Sequence, residues 1–312
     1  MRLKNFNTAG FLHLMVVYIV WGSTYLAIRV AVREGAGFTP FMMAGSRAII
    51  AGIILLVWAI LSNQPLRISL KDFVPLAISA LMLWLGGNGL VTWGSQYVDS
   101  ALTALVIASV PVWSAGIEAG IDRRLPSLRL VGALLVGTAG IGVLSYPALR
   151  HGARSDLLAL GAIVFASFTW AAGTLVQSRK RPPVTPVVAS SYSMLVGGAG
   201  FAILALLNKE PLPTPTLEAG LAWGYLVIFG SVVAFTSYSQ ALRLLPTQIV
   251  TTYSYVNPII AVALGWLILR EQITLWTIAG AALVLLGVAG VFRENNRQRQ
   301  IKQFELVHKT GD

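Results

Sequence analysis

Residues 257–292 read NPIIAVALGWLILREQITLWTIAGAALVLLGVAGVF. An apolar run after Pro258 ends in a charged turn, Arg270-Glu271-Gln272, and a second apolar run rich in small residues follows. Each run approaches the roughly 20 residues that a helix needs to cross a bilayer, so the stretch predicts a transmembrane hairpin. A weaker copy occupies residues 110–144, VPVWSAGIEAGIDRRLPSLRLVGALLVGTAGIGVL. Pro111 meets Pro258 at an offset of 147, and Gly132, Ala133, Leu135, Val136, Gly142 and Val143 meet Gly280, Ala281, Leu283, Val284, Gly290 and Val291 at 148. A chain that repeats at about half its length uses one architecture twice.

The composition agrees with this reading. Of 312 residues, 56% are hydrophobic and 11% charged, against about 25% charged in a soluble domain. The formal charge of +11 does not point to nucleic acid, because the basic residues fall mostly in short gaps between apolar runs, where they act as topology signals. There is no cysteine, which excludes disulfides and thiolate chemistry. His13, His151 and His308 lie far apart, and no His/carboxylate cluster has metal-ligand spacing. No metal or cofactor is expected. The basic N-terminus leads into an apolar run longer than a signal-peptide core and without a cleavage site, which predicts a retained first helix.

Ten spans are predicted, at about 11–32, 40–61, 73–97, 101–121, 128–147, 156–177, 184–207, 217–241, 248–269 and 274–292. Their length and lack of alternation argue against a β-barrel. With the N-terminus in the cytoplasm, sixteen of the 23 Lys and Arg residues fall inside, six outside and one, Arg47, within a span. This asymmetry predicts both termini inside. The halves correspond widely: Thr39-Pro40 with Thr185-Pro186, Trp21 with Trp170, Pro65-Leu66 with Pro211-Leu212. Five spans per half is an odd number, so the second copy enters from the opposite side. The expected fold is all-α, ten transmembrane helices in two inverted five-helix repeats, 1–150 and 151–292, with a basic cytoplasmic tail over 293–312. Inverted repeats of this kind are common in secondary transporters.

Three features carry a family resemblance: WGSTYLAIR from Trp21, Arg47 in the second span, and the passage from Pro258 through the Glu271 turn to the glycine-rich last span. The chain resembles the EamA-type transporters of the drug/metabolite transporter superfamily over roughly 11–292. The family's Gly-Glu-x-(Leu/Ile)-Thr turn stands here as Arg270-Glu271-Gln272-Ile273-Thr274, with Arg in place of Gly. The first repeat has Asp122-Arg123-Arg124-Leu125 and no Glu. The resemblance implies ten helices in two inverted repeats around a central cavity, and passage of small metabolites, often export of amino acids or related compounds.

Polar groups inside a bilayer are costly and mark candidate sites. Arg47 is a cation for an anionic substrate group, or a structural Arg bonded to helix carbonyls or snorkelling outward. Glu118 is the acidic residue deepest in a span, either a proton or ion site or a partner of Arg123 or Arg124. Glu271 suits capping of the last span. In the third span Asn88, Thr92, Ser95 and Asp99 share one face, and Gly86-Gly87-Asn88-Gly89 loosens the helix near mid-membrane. Trp21 with Tyr25, Ser109 with Trp113, and Tyr253 with Asn257 pair aromatic and polar groups on single helix faces, and Trp93, Trp170 and Tyr238 add further walls. Pro111 and Pro258 are expected to bend the fourth and ninth spans, and Gly132, Gly137, Gly140, Gly280, Gly287 and Gly290 to pack the fifth against the tenth.

Together these features predict an inner-membrane, multi-pass secondary transporter of a small amphipathic metabolite, working by alternating access in the lipid bilayer. An integral-membrane enzyme would need an acid/base pair, a nucleophile–base pair or a metal site, and the sequence offers no HExxH, GxSxG or cysteine. A channel would show flux without counterflow or saturation.

Overall fold

The computed structural model describes residues 7–98, 103, 106–123, 125–150, 157–269 and 274–309. They are helical throughout, with turns between. The principal helices are α1 (Thr8–Val32), α2 (Pro40–Leu61), α3 (Leu70–Gly94), α4 (Val110–Asp122), α5 (Leu128–Arg150), α6 (Leu157–Arg179), α7 (Pro186–Leu207), α8 (Leu217–Leu244), α9 (Tyr253–Leu269) and α10 (Leu275–Lys309). A single turn, Thr247–Val250, precedes α9. Among the described residues seven helices are long and apolar enough to cross a membrane, and Leu128–Gly140 in α5 is a shorter apolar stretch. As described, α4 has 13 residues and α9 has 17, about 20 and 26 Å of helix. Asp99, Arg124 and the Arg270-Glu271-Gln272-Ile273 turn lie outside the described residues, and so does any cap by Glu271.

Local chemistry starts the helices where the sequence places them. Asn7, Ser69, Thr185 and Thr216 each accept a backbone N–H three residues on, and Pro40 and Pro186 sit in first turns where a missing N–H costs nothing. Leu61, Leu207, Leu286 and Trp58 are more than 60% exposed. An outer surface of this kind suits lipid, with backbone polar groups satisfied inside each helix.

Two pairs of helices repeat one another's geometry. In α5 and α10 the backbones meet: a Cβ on Gly140 would lie 2.6 Å from Val284 N and 2.9 Å from Gly280 O, and one on Gly287 2.6 Å from Gly137 Cα. Of the glycines expected there, Gly132 has open space beside it. Helices α2 and α7 exchange caps. The Glu210 carboxylate, just after α7, accepts from Thr39 Oγ1 (2.8 Å), Phe41 N (3.3 Å) and Met42 N (2.8 Å) at the start of α2. Gln64, just after α2, accepts from Thr185 Oγ1 at the start of α7. Glu210 and Gln64 stand at the same offset, 146, as Thr185 and Thr39. Asn63 and Lys209, also 146 apart, both have a φ of 51°.

Both α3 and α8 widen to π-helical geometry in mid-course, at Met82–Gly89 and Leu226–Val233. Such stretches are rare and frequent at functional sites. The Pro pair departs from the expectation of two bends. Helix α4 begins at Val110 after a turn at Ala108–Ser109, so Pro111 lies in a first turn and starts the helix. Pro258 lies inside α9, where its ring removes the bond to the carbonyl four residues back. Helix α10 does not stop at Phe292 but continues through the polar segment to Lys309.

Candidate functional site: a central aromatic pocket

A pocket enclosing about 550 Å³ of empty space, mouth included, lies between α1, α2, α3, α6 and α9. Trp21, Thr24, Tyr25 and Ile28 of α1 line it, with Arg47 of α2, Gly87, Asn88 and Val91 of α3, Ala166 and Trp170 of α6, and Tyr253 and Asn257 of α9; Ile107 completes the wall.

The aromatic floor is fixed by its own contacts. Trp21 meets Trp170 (5.6 Å between centroids) and Tyr253 (5.0 Å) edge-on and Tyr238 (5.0 Å) at a tilt. Its indole N–H donates to the carbonyl of Gly230 (3.0 Å), within the π stretch of α8. Gly87 makes room for Trp170, since a Cβ there would lie 2.4 Å from Cε3 of its ring. Asn257, with its amide nitrogen turned to the carbonyls of Tyr253 (2.9 Å) and Tyr18 (3.2 Å), ties α9 to α1. Among the described residues the buried indole N–H of Trp170 has no hydrogen-bond partner, and the Tyr238 ring stands 6.3 Å from its ring, centroid to centroid.

Arg47 is 3% exposed. Its Nε donates to Ser231 Oγ (2.7 Å) in the π stretch of α8, and its guanidinium stands 5.8 Å from the Trp84 ring centre. Among the described residues no carboxylate pairs with it.

A smaller hollow shares Tyr25, Ile28 and Val91 and continues to Arg29, Ser95 and Thr103, towards the C-terminal end of α1. The opposite end is filled. Tyr18 Oη meets Thr252 Oγ1 at 2.6 Å, and Tyr238 is bonded to Thr174. Further down, Glu118 accepts from Gln248, whose Oε1 accepts from Asn295 (3.3 Å), and Arg179 forks onto Asp122 at 2.7 and 2.8 Å. Phe11 and Phe292 stack at 5.6 Å, which puts the start of α1 and the middle of α10 together at this closed end.

Seven of the twelve expected cavity residues meet at the pocket: Trp21, Tyr25, Arg47, Asn88, Trp170, Tyr253 and Asn257. Tyr238 stands behind the floor. Thr92 is buried and returns its hydroxyl to the carbonyl of Asn88 (2.8 Å). Trp93 packs on Tyr97 at 5.4 Å. Ser109 bonds Ser167 (3.2 Å) and accepts from Trp113 Nε1 (3.1 Å), and the Trp113 ring meets Phe168 edge-on while 37% exposed. These two tie α4 to α6 away from the pocket. Glu118 also stands outside it, and its bond goes to Gln248, not Arg123. Thr24, Ile28 and Val91 were not among the expected residues, yet they lie three or seven positions from Trp21 and Asn88, on the same helical faces.

The profile of the EamA-like transporter family matches residues 8–146 and again 157–293. The chain belongs to the EamA-like transporter family. Within this family the chain is 36% identical, over 81% of its length and 80% of the relative's, to the uncharacterized inner membrane transporter YedA of Escherichia coli strain K12. It is 23% identical, over 89% of its length and 88% of the relative's, to the S-adenosylmethionine/S-adenosylhomocysteine transporter of Chlamydia trachomatis serovar L2. A solved crystal structure shares the fold at 18% identity, with a TM-score of 0.76 over 93% of this chain and 99% of that one. The EamA chain is thus a multi-pass inner membrane transporter, and a small molecule within the bilayer-embedded helices is what such a protein handles.

Proposed function

We propose that the protein is a secondary transporter that moves a small amphipathic metabolite out of the cell by alternating access, with the aromatic pocket as its substrate site. The observation that carries this reading is a central pocket that continues towards the C-terminal end of α1. At the other end hydrogen bonds join α1 to Thr252 before α9, α6 to α8, and α4 to α6 and, through Gln248, to α10. A fixed central site closed on one side is the state that alternating access requires.

Under this reading all ten helices cross the membrane, as two inverted repeats, 1–150 and 151–292, with 293–312 as a cytoplasmic extension. Both termini are cytoplasmic, so the pocket opens outward. The closed end carries Arg179, Arg181 and Arg243, the basic residues expected on the cytoplasmic side. Helix pairs α2/α7 and α5/α10 hold the frame, and α4 and α9 move against it.

The test is counterflow in proteoliposomes loaded with amino acids, organic acids, nucleosides or amphipathic toxicants. A transporter accumulates labelled substrate against a preloaded pool and saturates. Flux without counterflow or saturation would make the protein a channel.

A further inference from the structure

The pocket holds one buried cation and no described carboxylate to balance it. Arg47 donates through Nε alone; neither Nη nitrogen has a protein partner among the described residues, and neither is sealed from the pocket. Ser231 on one edge and the Trp84 face fix the guanidinium plane. What remains free is the paired N–H edge, which matches a carboxylate bidentately. A buried, unpaired guanidinium is costly unless something satisfies it. The Asn88 side-chain amide lines the same pocket and has no hydrogen-bond partner among the described residues. Trp21, Tyr25, Trp170 and Tyr253 present rings to the same pocket, and Ile28, Val91 and Ile107 add aliphatic wall.

We propose that this site takes an organic carboxylate, its two oxygens on the Nη edge of Arg47 and a flat or apolar body among the four rings. The proposal rests on the reading of the pocket as the transporter's substrate site. It adds the class of substrate: recognition is by the carboxylate, and a neutral or cationic analogue of the same shape is rejected, the cation because Arg47 repels it.

The test is a charge series on one body, 3-phenylpropionate, 3-phenylpropionamide and 3-phenylpropylamine, titrated calorimetrically into the purified full chain. The carboxylate is expected to bind about tenfold or more tighter than the amide, the scale of a charge-assisted hydrogen-bond pair, and the amine not at all. Arg47→Gln is expected to remove the preference for carboxylate over amide, while Arg47→Lys keeps part of it. The wild-type series decides alone if the variants do not fold. Equal binding of carboxylate and amide, tighter binding of the amine, or no saturable binding of the carboxylate overturns the proposal. Counterflow separates the two readings. If the wild-type protein exchanges neutral or cationic compounds and no carboxylate, the transporter reading stands and the carboxylate assignment falls. If it exchanges nothing, the transporter reading falls.

Discussion

Gly87 shows how one missing side chain shapes the site. Its Cα faces the Trp170 ring, and a Cβ would stand 2.4 Å from Cε3. The ring is wedged by Trp21 and cannot retreat without moving the floor. Gly87→Ala is therefore expected to cost about 1–3 kcal/mol of overpacking, read as a lowered melting temperature in detergent together with reduced counterflow. Unchanged melting and flux would mean that the floor is soft. Tyr253 and Trp113 form a second contrast. Both are aromatic residues next to a helix break, and both were expected in the cavity. Tyr253 is 3% exposed in the floor, whereas Trp113 faces outward against Phe168. Tyr253→Ala is expected to reduce counterflow at least tenfold, and Trp113→Ala to leave it within about twofold, since truncating a half-exposed ring removes only outer packing. Loss of flux in Trp113→Ala with intact folding would place the site elsewhere. The sequence could not separate the two rings. It shows which residues share a helical face, but the turn at Ala108–Ser109 rotates α4, and the face that then meets α6 depends on tertiary packing.

At the scale of elements, the reciprocal caps of α2 and α7 are the clearest device. Each helix begins with Thr-Pro, and each is capped by the residue that ends the other repeat's hairpin helix. The pair is not equal in strength. Glu210 brings a charge to three donors at a helix N-terminus, where the dipole favours an anion, while Gln64 brings a neutral amide oxygen to one hydroxyl. Glu210→Ala is expected to lower stability by about 1–2 kcal/mol, and Gln64→Ala by less, about 0.5–1 kcal/mol; paired melting curves in detergent give the order. A reversed order would show that charge does not set the strength of these caps. Much of this level was legible beforehand. The Thr-Pro pairs, the Pro-Leu pairs and the glycines of α5 and α10 were visible because starting a helix and close packing each require particular residue types. The π stretches were less so. Gly86-Gly87-Asn88-Gly89 announced a loosened α3, but Leu226–Val233 has a single glycine and the same geometry. There the widened stretch carries the carbonyl that accepts from Trp21 and the hydroxyl that accepts from Arg47, long-range contacts that no local pattern records.

The whole molecule poses the question of where the second access path runs, and its near-symmetry supplies an answer. Trp21 and Trp170 correspond at an offset of 149, so Tyr25 maps to Thr174 and Ile28 to Gln177. Helices α3 and α8 correspond as well, their π stretches 144 apart. Tyr25, Ile28 and Val91 line the open hollow. The counterparts of Tyr25 and Ile28 are shut against α8: Thr174 on Tyr238, and Gln177 Nε2 on Ser239 Oγ at 2.9 Å, with Ser190 also on Ser239 at 3.0 Å. The Gln177 Oε1 is buried with no partner among the described residues, a cost that is understandable if this seam meets water in the other state. If the repeats exchange roles, the seam between α6 and α8 opens to the side of the termini as the Ile28 hollow closes. The chain has no cysteine, so single cysteines can be introduced without a background. Ile28→Cys is expected to react with a membrane-impermeant maleimide from the side opposite the termini, and Gln177→Cys from the side of the termini. Substrate added on one side should move the two rates in opposite directions, because one equilibrium governs both. Rates that rise and fall together, or a Gln177→Cys that stays unreactive in a protein that still exchanges substrate, would break the link between the two seams and leave the closed end a permanent plug.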